Sequence, residues 1–180
     1  KTFAPPTKDR EYLFAHLLRN LESACIKARR YKLAPKKIVP ILKKQNFDSA
    51  SCEIRLNRPT SQPLELSDLL HDAFQSLFRV NEMYRATGII LLDLAPYSQT
   101  QYSLFEDPVV AEKISRLYAA IDEISSKYGK HTLHLGGSHL IEKNGQGKRG
   151  VPTIREETRF FGETKRQHLG LPILHMNKLE

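Results

Sequence analysis

The stretch 36-KKIVPILKKQNFDSASCEIRL-56 holds two segments of strand length and the turn between them. The first is an apolar run, Ile38 to Leu42, bracketed by Lys36 and Lys37 on one side and Lys43 and Lys44 on the other. The second alternates with period two, sending Cys52, Ile54 and Leu56 to one face and Ser51, Glu53 and Arg55 to the opposite one. "KQNFDSA" turns the chain, so the two segments pair as a hairpin. Pro40 has no N–H to give a ladder, which predicts that the first of these strands lies at a sheet edge or carries a bulge.

Upstream, Thr7 is placed to cap a helix whose first turn carries Asp9 and Glu11. Leu13, Phe14, Leu17, Leu18, Leu21, Ala24, Cys25 and Ala28 recur at steps of three and four, which predicts an amphipathic helix over residues 7–31. Downstream, "NRPTSQP" breaks the pattern. Leu66, Leu69, Leu70, Phe74, Leu77 and Phe78 then mark a second helix, and "YRATGIILLDL" is apolar enough for a central strand. Adding a short strand at the start, the order is β-α-β-β-α-β. It predicts an α+β fold, a four-stranded antiparallel sheet with two helices on one face and the other face open. Ser51 and Arg55 belong on that open face. Period two adds either Lys37 and Lys43 or Lys36 and Lys44.

Charge is concentrated in the same region. The net charge is +8, and residues 1–96 hold 16 basic and 10 acidic side chains, a net +6. From Ser23 to Phe47 there is no acid, while Lys27, Arg29, Arg30, Lys32, Lys36, Lys37, Lys43 and Lys44 all fall there. A block of one sign repels itself unless it meets a polyanion, so nucleic acid or an acidic surface is the expected partner. Lys27, Arg29 and Arg30 read equally well as solvated helix surface. No segment has the roughly 20 apolar residues of a membrane span, so no membrane partner is expected. Cys25 and Cys52 lack metal-ligand spacing and read as reduced core thiols.

Residues 97–108 form a proline-broken linker that carries Leu104 and Phe105 side by side. Asp107 and Pro108 open a third helix over about 108–127, striped by Val110, Ile114, Leu117, Tyr118, Ile121 and Ile124. "KHTLHL" reads as a short strand over 130–135, and residues 109–180 as a whole form an extension with a loop-rich tail. If that strand forms, His131 and His134 point to opposite faces and cannot share a metal. No nucleophile sits beside a base, and no glycine loop has the strand-to-helix setting of a phosphate cradle. The expectation is a chain without catalytic residues or a metal site.

"KTF", the helix "EYLFAHLLRNLESACIKARRYKL", the pair "KKIVPILKKQNFDSASCEIRLNRPT" and "YRATGIILLDL", in that order, resemble the little-finger domain of Y-family translesion DNA polymerases, the DinB and UmuC-like group. The resemblance covers residues 1–96. Gln101, Tyr102, Ser103, Leu104 and Phe105 match that family's sliding-clamp-binding pentapeptide, at the place where the family carries it. The resemblance implies a non-catalytic C-terminal part of a polymerase, with its active-site carboxylates and magnesium in a palm domain that precedes it. It implies primer-template DNA and the beta subunit of a bacterial sliding clamp as partners, and a cytoplasmic, nucleoid-associated place in DNA damage repair and the SOS response. The residues placed to hold DNA are Lys37, Lys43, Lys44, Ser51, Arg55, Arg58 and, opening the last strand, Arg85. Three to five phosphates neutralised would give a log–log salt slope of roughly −3 to −4.5. The alternative is a free-standing nucleic-acid-binding module on the same kind of sheet. Base-reading RNA modules of that kind expose aromatics on the sheet, and here the hairpin offers only Phe47, at its turn.

Overall fold

A computed structural model describes residues 1–97 and 108–141. The elements are β1 (Thr2–Thr7), α1 (Arg10–Arg30), β2 (Leu33–Lys44), β3 (Ser49–Ser51), β4 (Ile54–Arg55), α2 (Pro63–Leu77), β5 (Tyr84–Pro96) and α3 (Pro108–Tyr128). The α+β architecture expected from the element order is what forms. The cap of α1 is Asp9, whose Oδ1 accepts from the Tyr12 N–H at 3.1 Å. Thr7 belongs to β1 instead, where its hydroxyl accepts from the Asp9 N–H. "PPT" continues the first strand because both prolines fit an edge, where no neighbour asks for their missing N–H.

The sheet is antiparallel in the order β1-β5-β2, with β3 and β4 both pairing the far side of β2. β5 is central, as its apolar run predicts. β2 is central too, which corrects the edge alternative drawn from Pro40, while the other alternative, a bulge, has a counterpart in a register shift between Lys43 and Lys44. The β2–β5 ladder runs through Pro40 opposite Ile89 without a shift. The missing donor is felt on the other side, where the partner strand lapses at Cys52 and Glu53 and becomes two short strands. This split makes five strands where four were expected. The register survives it, since Ile41 pairs Ser51 and Lys37 pairs Arg55, four residues apart on both strands.

α1 and α2 cover one face of the sheet. Leu13, Leu17, Leu21 and Cys25 from α1, and Leu66, Leu70 and Phe74 from α2, close over Ile38, Leu42 and Tyr84. Burying a Leu or Phe side chain fully contributes roughly 1.5–3 kcal/mol before ordering costs, and these have almost no exposure. Burial of Ile38, Pro40 and Leu42 settles the period-two choice left open by the sequence: Lys37, Val39, Ile41 and Lys43 point to the opposite face, which is uncovered among the described elements.

The described residues of the extension pack on this body. The Arg29 guanidinium, 8 % exposed, donates to both Asp122 carboxylate oxygens at 2.6 and 2.7 Å and to the Ser61 carbonyl at 2.6 Å, and lies over the Tyr118 ring. The buried Tyr118 hydroxyl accepts from the Leu64 N–H at 2.9 Å, serving the start of α2, where Gln62 supplies no side-chain cap. Residues 129–135 form turns rather than a strand, followed by a 3-10 turn at Gly136–Ser138. The buried Glu22 carboxylate holds this segment by accepting from the Leu135 N–H at 2.6 Å and from the Ser138 hydroxyl. A strand could not present that backbone N–H and the serine together to one carboxylate. The fold divides after Asn144, and every described residue belongs to the unit before that point.

Candidate nucleic-acid interface

The uncovered face is built by cross-strand register. Lys43 lies between Ala86 and Ser49, Ile41 between Gly88 and Ser51, and Lys37 between Leu92 and Arg55. Antiparallel partners share a face, so Lys37, Lys43, Ser49, Ser51 and Arg55 come together on it. Lys37 and Lys43 are six residues apart, about 20 Å along a strand at ~3.3 Å per residue. Between them lies an apolar floor of Val39, Ile41, Ile90 and Leu92, with Ile90 and Leu92 exposed and Gly88 offering no side chain. A Cβ at Gly88 would touch nothing closer than the Ile41 Cβ at 4.0 Å, so packing does not demand a glycine there. Its effect is a flat place in the face, open to the approach of another backbone.

The cations on this face are not all equal. Arg55 is 80 % exposed and pairs with Glu53 at 3.2 Å. Lys37 lies between Glu53 at 3.3 Å and Asp93 at 3.1 Å. Hydrogen bonds that it donates to Asp93 and then Glu53 hold the Lys37 ammonium above its ordinary pKa, while those Glu53 accepts from Arg55 and then Lys37 hold its carboxyl below its own. Such solvent-screened surface pairs are weak enough for a phosphate to displace. At the other end of the face, Lys43 and Arg85 flank the exposed Phe47 ring, with the Arg85 guanidinium carbon 4.1 Å from its centroid.

Two of the residues expected on this face are engaged elsewhere. Lys44 turns to Glu82 at 3.1 Å, past a register shift that follows Lys43. Arg58, 11 % exposed, pairs with Glu65 at 2.6 Å, and the Thr60 hydroxyl donates to the same carboxylate. Both pairs hold the start or the lead-in of a neighbouring element. Arg29 is buried against Asp122 and is neither solvated helix surface nor available to a ligand. The acids of the face differ in legibility. Alternation of residues 51–55 already puts Glu53 beside Arg55. Asp93 reaches the face only because its backbone takes a left-handed φ of 51°, which no pattern announces.

Gln101, Tyr102, Ser103, Leu104 and Phe105 lie outside the described residues, as does the tail after residue 141. The chain on either side of the pentapeptide is anchored. Tyr97 donates its N–H to the Lys32 carbonyl and its hydroxyl meets that of Ser61, while α3 follows from Pro108. His134 and His139 stack with ring centroids 5.5 Å apart and a 3.3 Å contact between ring nitrogens. Among the described residues, no three His, Cys, Asp or Glu side chains converge to hold a metal ion. No described helix is long and apolar enough to cross a membrane.

A search of curated proteins gives no match. Residues 1–104 match the family described as the impB/mucB/samB family C-terminal domain, the C-terminal region of Y-family DNA polymerases, and the chain belongs to that family.

Proposed function

We propose that the uncovered sheet face grips the sugar–phosphate backbone of primer-template DNA, while Gln101–Phe105 tethers the protein to a bacterial sliding clamp during damage bypass. The observation that carries the first part is the register: Lys37, Lys43, Ser51 and Arg55 share one uncovered face while the helices occupy the other. Lysine and arginine supply charge, serine hydroxyls and the apolar floor lie against sugar and phosphate, and no base-reading geometry is needed. The nucleotide chemistry belongs to a palm domain of the polymerase, where magnesium would also bind.

The clamp reading rests on the pentapeptide in its place after the last strand. Leu104 and Phe105 would enter an apolar pocket, each worth roughly 1.5–3 kcal/mol before ordering costs. The Gln101 amide, donor and acceptor at once, would set the register at the pocket mouth. Tethering raises the effective DNA concentration at the sheet, so micromolar clamp affinity suffices.

Fluorescence anisotropy with labelled primer-template across a salt series tests the grip. With Lys44 and Arg58 engaged by Glu82 and Glu65, the free cations are fewer than the sequence suggests. Two to four phosphates neutralised give a log–log slope of about −2 to −4. A slope near zero rejects the reading. For the tether, the full chain is titrated with a bacterial clamp beside Leu104→Ala/Phe105→Ala. Loss of binding in the double variant is expected, and equal binding by both proteins rejects it.

A further inference from the structure

We propose that Phe47, at the turn joining β2 and β3, is a stacking platform for an unpaired nucleobase, placed where single-stranded DNA leaves the duplex held on the sheet. The inference rests on the DNA-gripping reading above and adds a second, chemically different contact to it.

Phe47 is 64 % exposed, so the ring contributes nothing to the core. Its backbone takes φ 74°, in the left-handed region that a bulky aromatic side chain rarely adopts. Asparagine or glycine would sit there without strain. The turn is nonetheless well defined. The Phe47 N–H donates to the Lys44 carbonyl, the Gln45 N–H to the Met83 carbonyl, and the Asn46 and Asp48 side chains bond to each other. A strained backbone thus presents an aromatic ring to solvent from a fixed position.

What surrounds the ring gives the class of ligand. The Arg85 guanidinium carbon is 4.1 Å from the centroid and the Lys43 Nζ is 5.5 Å from it. An aromatic face beside an arginine and a lysine is the combination with which single-strand binders hold a base and its phosphate together. Lys43 belongs to the uncovered face, so the ring stands at one end of the surface proposed for the duplex. Within a duplex every base face is already stacked, and a ring at this place finds a free face only on an unpaired base. Tyr31 and Tyr128 are as exposed, but Tyr31 ends α1 and Tyr128 ends α3, both in the helix layer, and among the described residues a single cation, Lys127, lies over the Tyr128 ring.

The test uses the full chain with three DNAs: a blunt duplex, a primer-template with a 5′ overhang carrying 2-aminopurine beside the junction, and a single strand. Phe47→Ala is expected to weaken overhang and single-strand binding by roughly five- to a hundredfold, the range for one base–aromatic stack, and to abolish the 2-aminopurine quenching seen with the unaltered chain. Blunt-duplex affinity and its salt slope should stay within twofold. Phe47→Asn, which suits the left-handed backbone and keeps the turn, should behave as the alanine variant does, and Phe47→Trp should restore binding. Unchanged overhang binding in the alanine and asparagine variants overturns the proposal, and so does an equal loss on all three DNAs, which would mark a wedge or a folding defect. A chain that binds none of the DNAs refutes the duplex reading as well; one that binds all three regardless of Phe47 refutes this proposal alone.

Discussion

The two faces of the sheet carry cations from the same acid-free stretch of sequence and put them to opposite uses. On the helix side, Arg29 is buried in a bidentate pair with Asp122, bonded to the Ser61 carbonyl and stacked on Tyr118, so its charge ties α1 to α3. On the uncovered side, Lys37 and Lys43 stand with Arg55 over an apolar floor, and their acidic neighbours are exposed carboxylates that a phosphate can replace. A cation's partner and its burial decide whether it is structure or binding surface. Counting lysines and arginines cannot separate the two.

The largest effect that could break this comparison is at Arg29. Arg29→Ala leaves Asp122 without its partner and the Ser61 carbonyl without its donor, and should cost about 2–4 kcal/mol in urea unfolding. DNA affinity measured where the variant is folded should be unchanged. A surface-like loss below about 0.5 kcal/mol would mean that the pair does not hold α3 on the body.

His16 predicts an acid sensitivity confined to the helix side. Burial beside Phe3 and Tyr12, then the positive charges of Lys1 and Arg19, lowers its pKa to about 4. The folded state therefore keeps His16 neutral while the unfolded chain takes up a proton below about 6.5. Stability is full above pH 6.5, falls as pH drops from 6.5 to about 4, and loses nothing further from this group below that. The total is at most about 3 kcal/mol. His16→Gln should flatten this part of the stability–pH curve, and an unaltered slope in that variant would show that His16 is not its source.

The charges of the uncovered face should respond in the reverse manner. Lys43→Ala combined with Arg55→Ala should leave unfolding within about 0.5 kcal/mol of the parent, as befits cations outside the core. The same variant should flatten the salt slope of DNA binding by about 2, one phosphate per cation. The smallest effect carries the most telling sign. Glu53→Gln removes a negative charge from the face and should tighten DNA binding a few-fold at low salt, with the gain fading as salt screens it. Weaker binding would mean that Glu53 is needed to position Lys37 and Arg55.

Much of this was legible because period sets burial. The stripe of Leu13, Leu17 and Leu21, with Ile38 and Leu42 at alternate positions of β2, is core, and the alternation of residues 51–56 places Ser51 and Arg55 on the uncovered side. The edge reading from Pro40 failed, since a missing donor excludes a ladder only on the side to which it points, and on its other side β2 pairs β5 in register from Lys37 to Lys43. "KHTLHL" misled for a different reason: its pattern is strand-like, yet the buried Glu22 carboxylate captures the Leu135 N–H and the Ser138 hydroxyl from a turn.

Sequence alone determined the alternation of strands and helices over residues 1–96, the apolar faces, the charge asymmetry and the pentapeptide, because these depend on neighbours a few residues apart. Tertiary structure decided which cations are spent. Arg58 with Glu65, Lys44 with Glu82 and Arg29 with Asp122 are separated by 7, 38 and 93 residues. The same holds for Asp93 on the face and for Phe47 between Lys43 and Arg85. A charge is neutralised by whatever the fold brings within about 4 Å of it, and at such separations only the folded chain sets that distance.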